Sequence, residues 1–257
     1  MFRTGNPALT ANTFTGPQSF SAAEGTMTIQ GTVNKTLVLL ACLLITASWI
    51  WGKIMPQAGY EGVAQGTDQI TKWLMLGVFG GFITAIVTMF SKQWAAVTAP
   101  IYALFEGLAL GGISAIFEMR YPGIVIHAVG LTFATLFALL MAYKSGFIKA
   151  TENFKLGIVA ATGGICIVYL VDLVLGFFGK AVPFLYDNGP LGIGISVFIV
   201  IIAALNLVLD FDFIEHGSES GAPKYMEWYG AFGLMVTLVW LYLEILRLLA
   251  KLSNNRR

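Results

Sequence analysis

The stretch Leu205 to Gly217, LNLVLDFDFIEHG, carries Asp210 and Asp212 directly after GIGISVFIVIIAA, a run with no charged side chain. Further on, VTLVWLYLEILRLLAKL sets Glu244, Arg247 and Lys251 into a second apolar run. An aspartate at the centre of a membrane helix costs roughly 2.5–3.5 kcal/mol even on the lower insertion scales, so each such acid needs a reason. At helical spacing Asn206 and Asp210 share one side and Asp212 points nearly the opposite way. Asp210 is therefore expected to face the interior, and Asp212 the membrane surface. Thr237, Glu244, Arg247 and Lys251 form one polar stripe, on which Glu244 either pairs with Arg247 one turn later or meets Asp210. If the two carboxylates meet, desolvation and like-charge repulsion both disfavour double ionisation. One proton held by the pair would then bridge two helices, and its loss would separate them.

The remaining ionisable groups divide by position. Asp172, in VYLVDLVLG, has Tyr169 one turn before it, and reads either as a hydrogen bond within the bundle or as part of a polar network. Glu106, in IYALFEGLAL, reads equally as a structural pairing or as the lining of a path. His127 suits a hydrogen bond better than a metal. Glu118, Glu152, Asp187, Glu215 and Glu219 fall at segment ends or in loops, where water solvates them. Cys42 and Cys166 lie inside apolar runs and read as small packing residues rather than a disulfide, metal site or nucleophile.

The elements that must position these groups follow from composition. With 57% hydrophobic and 11% charged residues and a mean hydropathy of +0.77, the chain falls outside soluble usage and is an integral membrane protein. A net charge of +1, with Lys and Arg scattered singly, excludes a nucleic-acid surface. Residues 1–33 are rich in Thr, Ser, Gly, Asn and Pro and read as a flexible polar tail. Residues 34–252 form the membrane domain, with spans at about 35–54, 73–91, 100–119, 124–144, 155–178, 191–214 and 229–251. Residues 253–257 form a short basic tail. Breakers between the spans include Pro56, Pro100, Pro122 with Gly123, Pro183, Pro190, and Gly221 with Pro223.

No span alternates as an outer-membrane strand does, so the fold class is an all-α bundle of seven transmembrane helices. Gly77 with Gly81, and Gly107 with Gly111, give spacings that let helix backbones approach closely. The distribution of Lys and Arg puts the N-terminus in the cytoplasm, although the basic C-terminus pulls the other way. A seventh segment that re-enters the membrane would satisfy both tendencies; seven spans remain the reading adopted.

Catalysis has little support. Intramembrane aspartyl proteases need a Gly-x-Gly-Asp element, which the chain lacks, and Tyr186-Asp187 lies in a loop. GGIS and GIGIS do not supply a serine nucleophile with a deep histidine, and no phosphate-binding or dinucleotide fingerprint occurs in a suitable context. No enzyme activity, catalytic residue or cofactor is expected.

The segment LDFDFIEHGSESGAPKYMEWYGAFGLMVTLVWLYLEILRLLAKL resembles the end of a prokaryotic member of the Bax-inhibitor/YccA-like family, the transmembrane Bax inhibitor motif family. TMTIQGTVNKTLVLL and APIYALFEGLALGGISAIFE are similar to it too. The resemblance implies a seven-helix bundle in the bacterial cytoplasmic (inner) membrane. In some members it also implies a pH-sensitive calcium leak controlled by carboxylates on the last two helices. Matched motif by motif, those carboxylates fall at Asp210 and Glu244, with Asn206, Glu106, Asp172 and Arg247 as candidates for the surrounding path or network. The chain departs from the leak-channel pattern in having Glu at the second position and a longer connection from Gly217 to Trp228. It also lacks the latch arginine on the second helix, where only Lys92 is near. The expected function is a pH-sensitive leak for calcium or another cation, with transient calcium and no fixed metal cage. The alternative implied by the YccA-like side is a non-transporting membrane partner of a membrane protease or quality-control protein.

Overall fold

The structure is a computed structural model that describes residues 25–55 and 63–255. Its helices are α1 (Ile29–Ile54), α2 (Val63–Phe90), α3 (Ala95–Arg120), α4 (Ile124–Lys144), α5 (Glu152–Phe177), the single-turn α6 (Pro183–Tyr186), α7 (Pro190–Glu219) and α8 (Met226–Asn255). Seven of them, all but α6, are long and apolar enough to cross a membrane. The chain is an all-α multi-pass membrane protein, as its hydropathy predicts. Among the described residues the only β pairing is one isolated bridge, Thr26 to Pro223.

Several boundaries differ from the sequence reading, for local reasons. α1 begins at Ile29 rather than 35, because Thr28 adopts an extended conformation and its side chain accepts a hydrogen bond from Gly31 N–H. That is the N-cap geometry short hydroxyl residues favour. Residues 29–33 thus belong to α1 and not to a flexible tail, while residues 1–24 lie outside the described residues. Pro100 sits inside α3 rather than marking its start. A 3-10 turn at Lys92–Trp94 leads into α3, and a membrane helix tolerates an internal proline when neighbouring groups satisfy the freed carbonyl. At the other end α8 runs on to Asn255, so residues 253–255 are helical. Gly123 and Gly221, at φ +86° and +67°, take the left-handed conformation that lets the chain turn after α3 and after α7.

The described residues divide into two compact units, 25–122 with 214–235 and 123–213 with 236–255. α7 and α8 each give one part to each unit.

In the first unit α1, α2 and α3 pack through small residues. A Cβ on Gly77 would stand 2.5 Å from Ala109 N and 2.7 Å from Phe105 O, so α2 lies against the backbone of α3. Gly107 lies in the same way against Leu43 and Thr46 of α1. Threonines along these helices return their hydroxyls to their own backbone, as Thr36 does to Thr32 O at 2.9 Å, which meets the hydrogen-bond demand where water is absent.

The N-terminal end of α8 binds the start of α1. Glu227 is fully buried and accepts hydrogen bonds from Thr28 N–H at 3.0 Å, Thr28 Oγ1 at 2.8 Å and Lys224 Nζ at 2.7 Å. It also forms an ion pair with Lys35. Gly31 leaves the space that this carboxylate fills. Met27, 1% exposed, donates its N–H to Ala222 O at 2.7 Å and completes the strap.

The second unit comprises α4, α5, α6, most of α7 and the last two-thirds of α8. Ile165, Val182, Leu185, Ile199 and Ile202 form its apolar centre, with Val168, Ile195 and Trp240 packed against it. Across its apolar window α5 is only 11% buried, against 50% for α7 and 67% for α8. Most of α5 therefore faces lipid, and any polar group it turns inward is placed there against α7 or α8.

Two outcomes test this architecture. Gly77→Ala should lower stability in detergent by about 1–3 kcal/mol through overpacking. Gly130→Ala, whose Cβ meets nothing within 4 Å, should not. α8 spans ~45 Å at ~1.5 Å per residue, more than the ~30 Å hydrocarbon thickness. With Cys42 and Cys166 replaced, cysteines introduced at Ser21 and Ser253 should accordingly be labelled from opposite sides of the membrane. Same-side labelling would identify re-entry.

A polar file along α5

α5 is capped by Thr151, whose side chain accepts a hydrogen bond from Phe154 N–H. Beyond that cap, Lys155, Thr162 and Tyr169 recur at two-turn spacing and so share one face of the helix. Each meets a polar partner on another helix. Lys155 Nζ lies 2.6 Å from Asp212 Oδ2, Asn206 Nδ2 donates to Thr162 Oγ1 at 2.8 Å, and Tyr169 OH donates to Glu244 Oε1 at 2.7 Å. At ~1.5 Å rise per residue these contacts extend roughly 21 Å along α5, about two-thirds of a hydrocarbon core.

The first end of the file is a buried ion pair. Lys155 is 4% exposed and Asp212 8%, and Glu152 lies 3.8 Å from the same ammonium. Asp212 was expected at the membrane surface, away from the interior. The structure corrects that: every residue of α7 from Asn206 to Ile214 is buried, so this stretch has no outward face. Asp210 is 0% exposed and one turn from Asn206, on the side of α7 that Asn206 turns toward Thr162.

Asn206 holds the middle. Its amide also donates to Ile202 O at 2.8 Å, and its Oδ1, buried, accepts no hydrogen bond from the described residues. A buried acceptor left in this way costs about 1–3 kcal/mol unless water or an ion visits it.

The far end is built on Glu244, 2% exposed. It accepts from Tyr169, from Trp240 Nε1 at 3.3 Å and from Arg247 Nη1, at 2.9 and 3.0 Å to its two oxygens. The same guanidinium nitrogen reaches Tyr169 OH at 2.5 Å. Lys251 Nζ, one turn on, donates to Gly192 O at 3.0 Å.

This register separates Asp210 from Glu244. α5 meets Asp212 at Lys155 and Glu244 at Tyr169, positions roughly 21 Å apart on one helix. The bond from Lys251 to Gly192 gives the same answer, because Asp210 lies roughly 27 Å from Gly192 along α7 and Glu244 only about 10 Å from Lys251 along α8. The two acids are therefore not one proton-sharing pair. Glu244 takes the Arg247 pairing that the stripe on α8 allowed.

The other candidates lie off the file. Asp172 accepts hydrogen bonds from Val182 N–H at 2.8 Å and Tyr186 OH at 2.6 Å. It thus ties the end of α5 to α6 rather than bonding Tyr169, and the Tyr186 hydroxyl is pushed above its ordinary range chiefly by this bond. Glu106 belongs to the first unit, hydrogen-bonded by Tyr102 one turn before it. His127 Nδ1 meets Gly123 O at 2.6 Å, a local bond. Cys42 and Cys166 are free thiols. Lys155 and Thr162 were missed in the sequence; their signal is the two-turn recurrence with Tyr169 on an otherwise apolar helix. Among the described residues no group of three or more His, Cys, Asp or Glu could hold a metal ion.

A helical membrane protein with charged and amide side chains in file across its interior is the class these features define. The family profile described as Bax inhibitor 1 like matches residues 6–254, and the chain belongs to that family. No curated protein and no solved structure matches it.

Lys155→Met should remove the buried ion pair with Asp212 and destabilise the protein by about 3–5 kcal/mol in detergent melts. Adding Asp212→Asn should recover part of that loss, and the double-mutant cycle measures the coupling.

Proposed function

We propose that this chain is a proton-regulated cation leak whose path follows the polar file on α5. The observation that carries the reading is the file itself, with the orphan acceptor Asn206 Oδ1 between charged ends. A cation crossing there would meet carboxylate, amide and hydroxyl oxygens in succession. Those are the hard ligands calcium takes, and their small number suits transit better than storage. In the described state each end is closed by an ion pair, Lys155 with Asp212 and Arg247 with Glu244. Opening requires that these tethered cations yield their acids. Asp210 and Glu244 remain the proton-sensing residues of this proposal, acting at separate heights instead of through one shared proton. The chain would work in the bacterial cytoplasmic membrane with its N-terminus inside, as its Lys and Arg distribution suggests.

Calcium flux into proteoliposomes tests the reading. Asn206→Leu should lower flux about tenfold, equivalent to ~1.4 kcal/mol on the barrier. Asp210→Asn and Glu244→Gln should each alter the pH dependence, and their effects should add in the logarithm of the rate because the sites are distant. Asp172→Asn, off the file, should leave flux unchanged. No flux from the unmodified protein, where a control channel conducts, would withdraw the leak and favour the non-transporting partner of a membrane protease or quality-control protein.

A further inference from the structure

A groove of about 380 Å³ runs between α5, α6 and α7, walled by Val168, Tyr169, Phe184, Ile195 and Phe198 and floored at Gly164. Apart from the Tyr169 hydroxyl its lining is apolar. Both long helices are membrane spans, and Phe198 and Phe184 are 52% and 37% exposed, so the groove opens into hydrocarbon. At Gly164 the groove is open, since a Cβ there would meet no atom within 4 Å, and a larger side chain would project into that space.

One wall connects the groove to charge. The Tyr169 ring lines it, and Arg247 Cζ lies 5.2 Å from that ring's centroid. Arg247 makes its bonds to Tyr169 and Glu244 through Nη1, and its side chain is 41% exposed. Among the described residues Nε and Nη2 are the donors that remain, on one edge of the planar fork that binds phosphate oxygens bidentately. Glu244 offsets the charge of Arg247, so what is offered is directed hydrogen bonding rather than a net positive patch.

We propose that this groove is a phospholipid site, with one acyl chain lying along Gly164 and the phosphodiester on the outer edge of Arg247. A glycerophospholipid presents both halves at once: a chain for the apolar groove and an anionic, fork-accepting group at its polar end. A diacylglycerol lacks the second half, and a free phosphate lacks the first.

Native mass spectrometry of the detergent-purified full chain, titrated with palmitoyl-oleoyl phosphatidylglycerol, tests the assignment. The unmodified protein should retain one lipid. Gly164→Leu, filling the floor, should weaken retention roughly tenfold through lost apolar contact, and Val168→Phe should act in the same direction. Gly163→Leu supplies the matched control: its Cβ is equally open but it does not line the groove, so retention should persist. Arg247→Gln should reduce phosphatidylglycerol binding to the level of diacylglycerol. Equal retention by the Gly164 and Gly163 variants would overturn the proposal. So would diacylglycerol binding the unmodified protein as tightly as phosphatidylglycerol, or inorganic phosphate alone displacing the lipid.

Discussion

A charge placed in hydrocarbon must find its counter-charge or its hydrogen bonds inside the protein, because water is absent there. That requirement organises the second unit. Asp212, buried toward the C-terminal end of the apolar α7, is met there by Lys155 from the first turn of α5. Glu244 is held by a tyrosine, a tryptophan and an arginine at once. Helices that share such pairs cannot slide or rotate independently, so the ion pairs set register as well as charge balance. Between the two ends, where no ion pair is available, the file uses neutral groups, Thr162 and Asn206, which hydrogen-bond without a Born cost.

The seven spans were legible because bilayer thickness imposes a length and a composition that few other structures share. What escaped the sequence depended on partners. α1 gains its first turn from the Thr28 cap and the Glu227 carboxylate, and the latter is remote in sequence. Pro100 reads as a breaker by local rules, yet the chain enters α3 through a 3-10 turn and carries the proline within the helix. Asp212 was placed outward by a wheel that assumes one buried face, whereas this part of α7 is enclosed all round. The supposed pairing of Asp210 with Glu244 followed from the inward faces read at helical spacing and from motif likeness. Which residues meet across two helices is a matter of register, and the contacts that fix it, Lys155 to Asp212 and Lys251 to Gly192, join residues far apart in the chain.

The separation of the two acids changes what kind of device the file is. A shared proton would make a single switch; under the proposed leak, acids at different heights make two separate checks, with Lys155 paired to Asp212 at one end and Arg247 to Glu244 at the other. On that proposal the passage would conduct only when both ion pairs are released. Membership of the Bax inhibitor 1 like family gives the class of protein, while the polar groups along α5 and their partners are this chain's own residues.

The strap at Glu227 has a consequence for how the protein is made. Thr28 and Glu227 are separated by 199 positions, so α1 enters the membrane long before the carboxylate that fixes its start exists. At about 5–20 residues per second, ribosomal synthesis leaves an interval of roughly 10–40 s. During it Lys35 must be accommodated by lipid headgroups or by the insertion machinery. Biogenesis therefore ends where it began: the first helix is locked only after the last has been delivered, and a nascent chain truncated before Glu227 leaves the N-terminal end of its oldest helix unlatched.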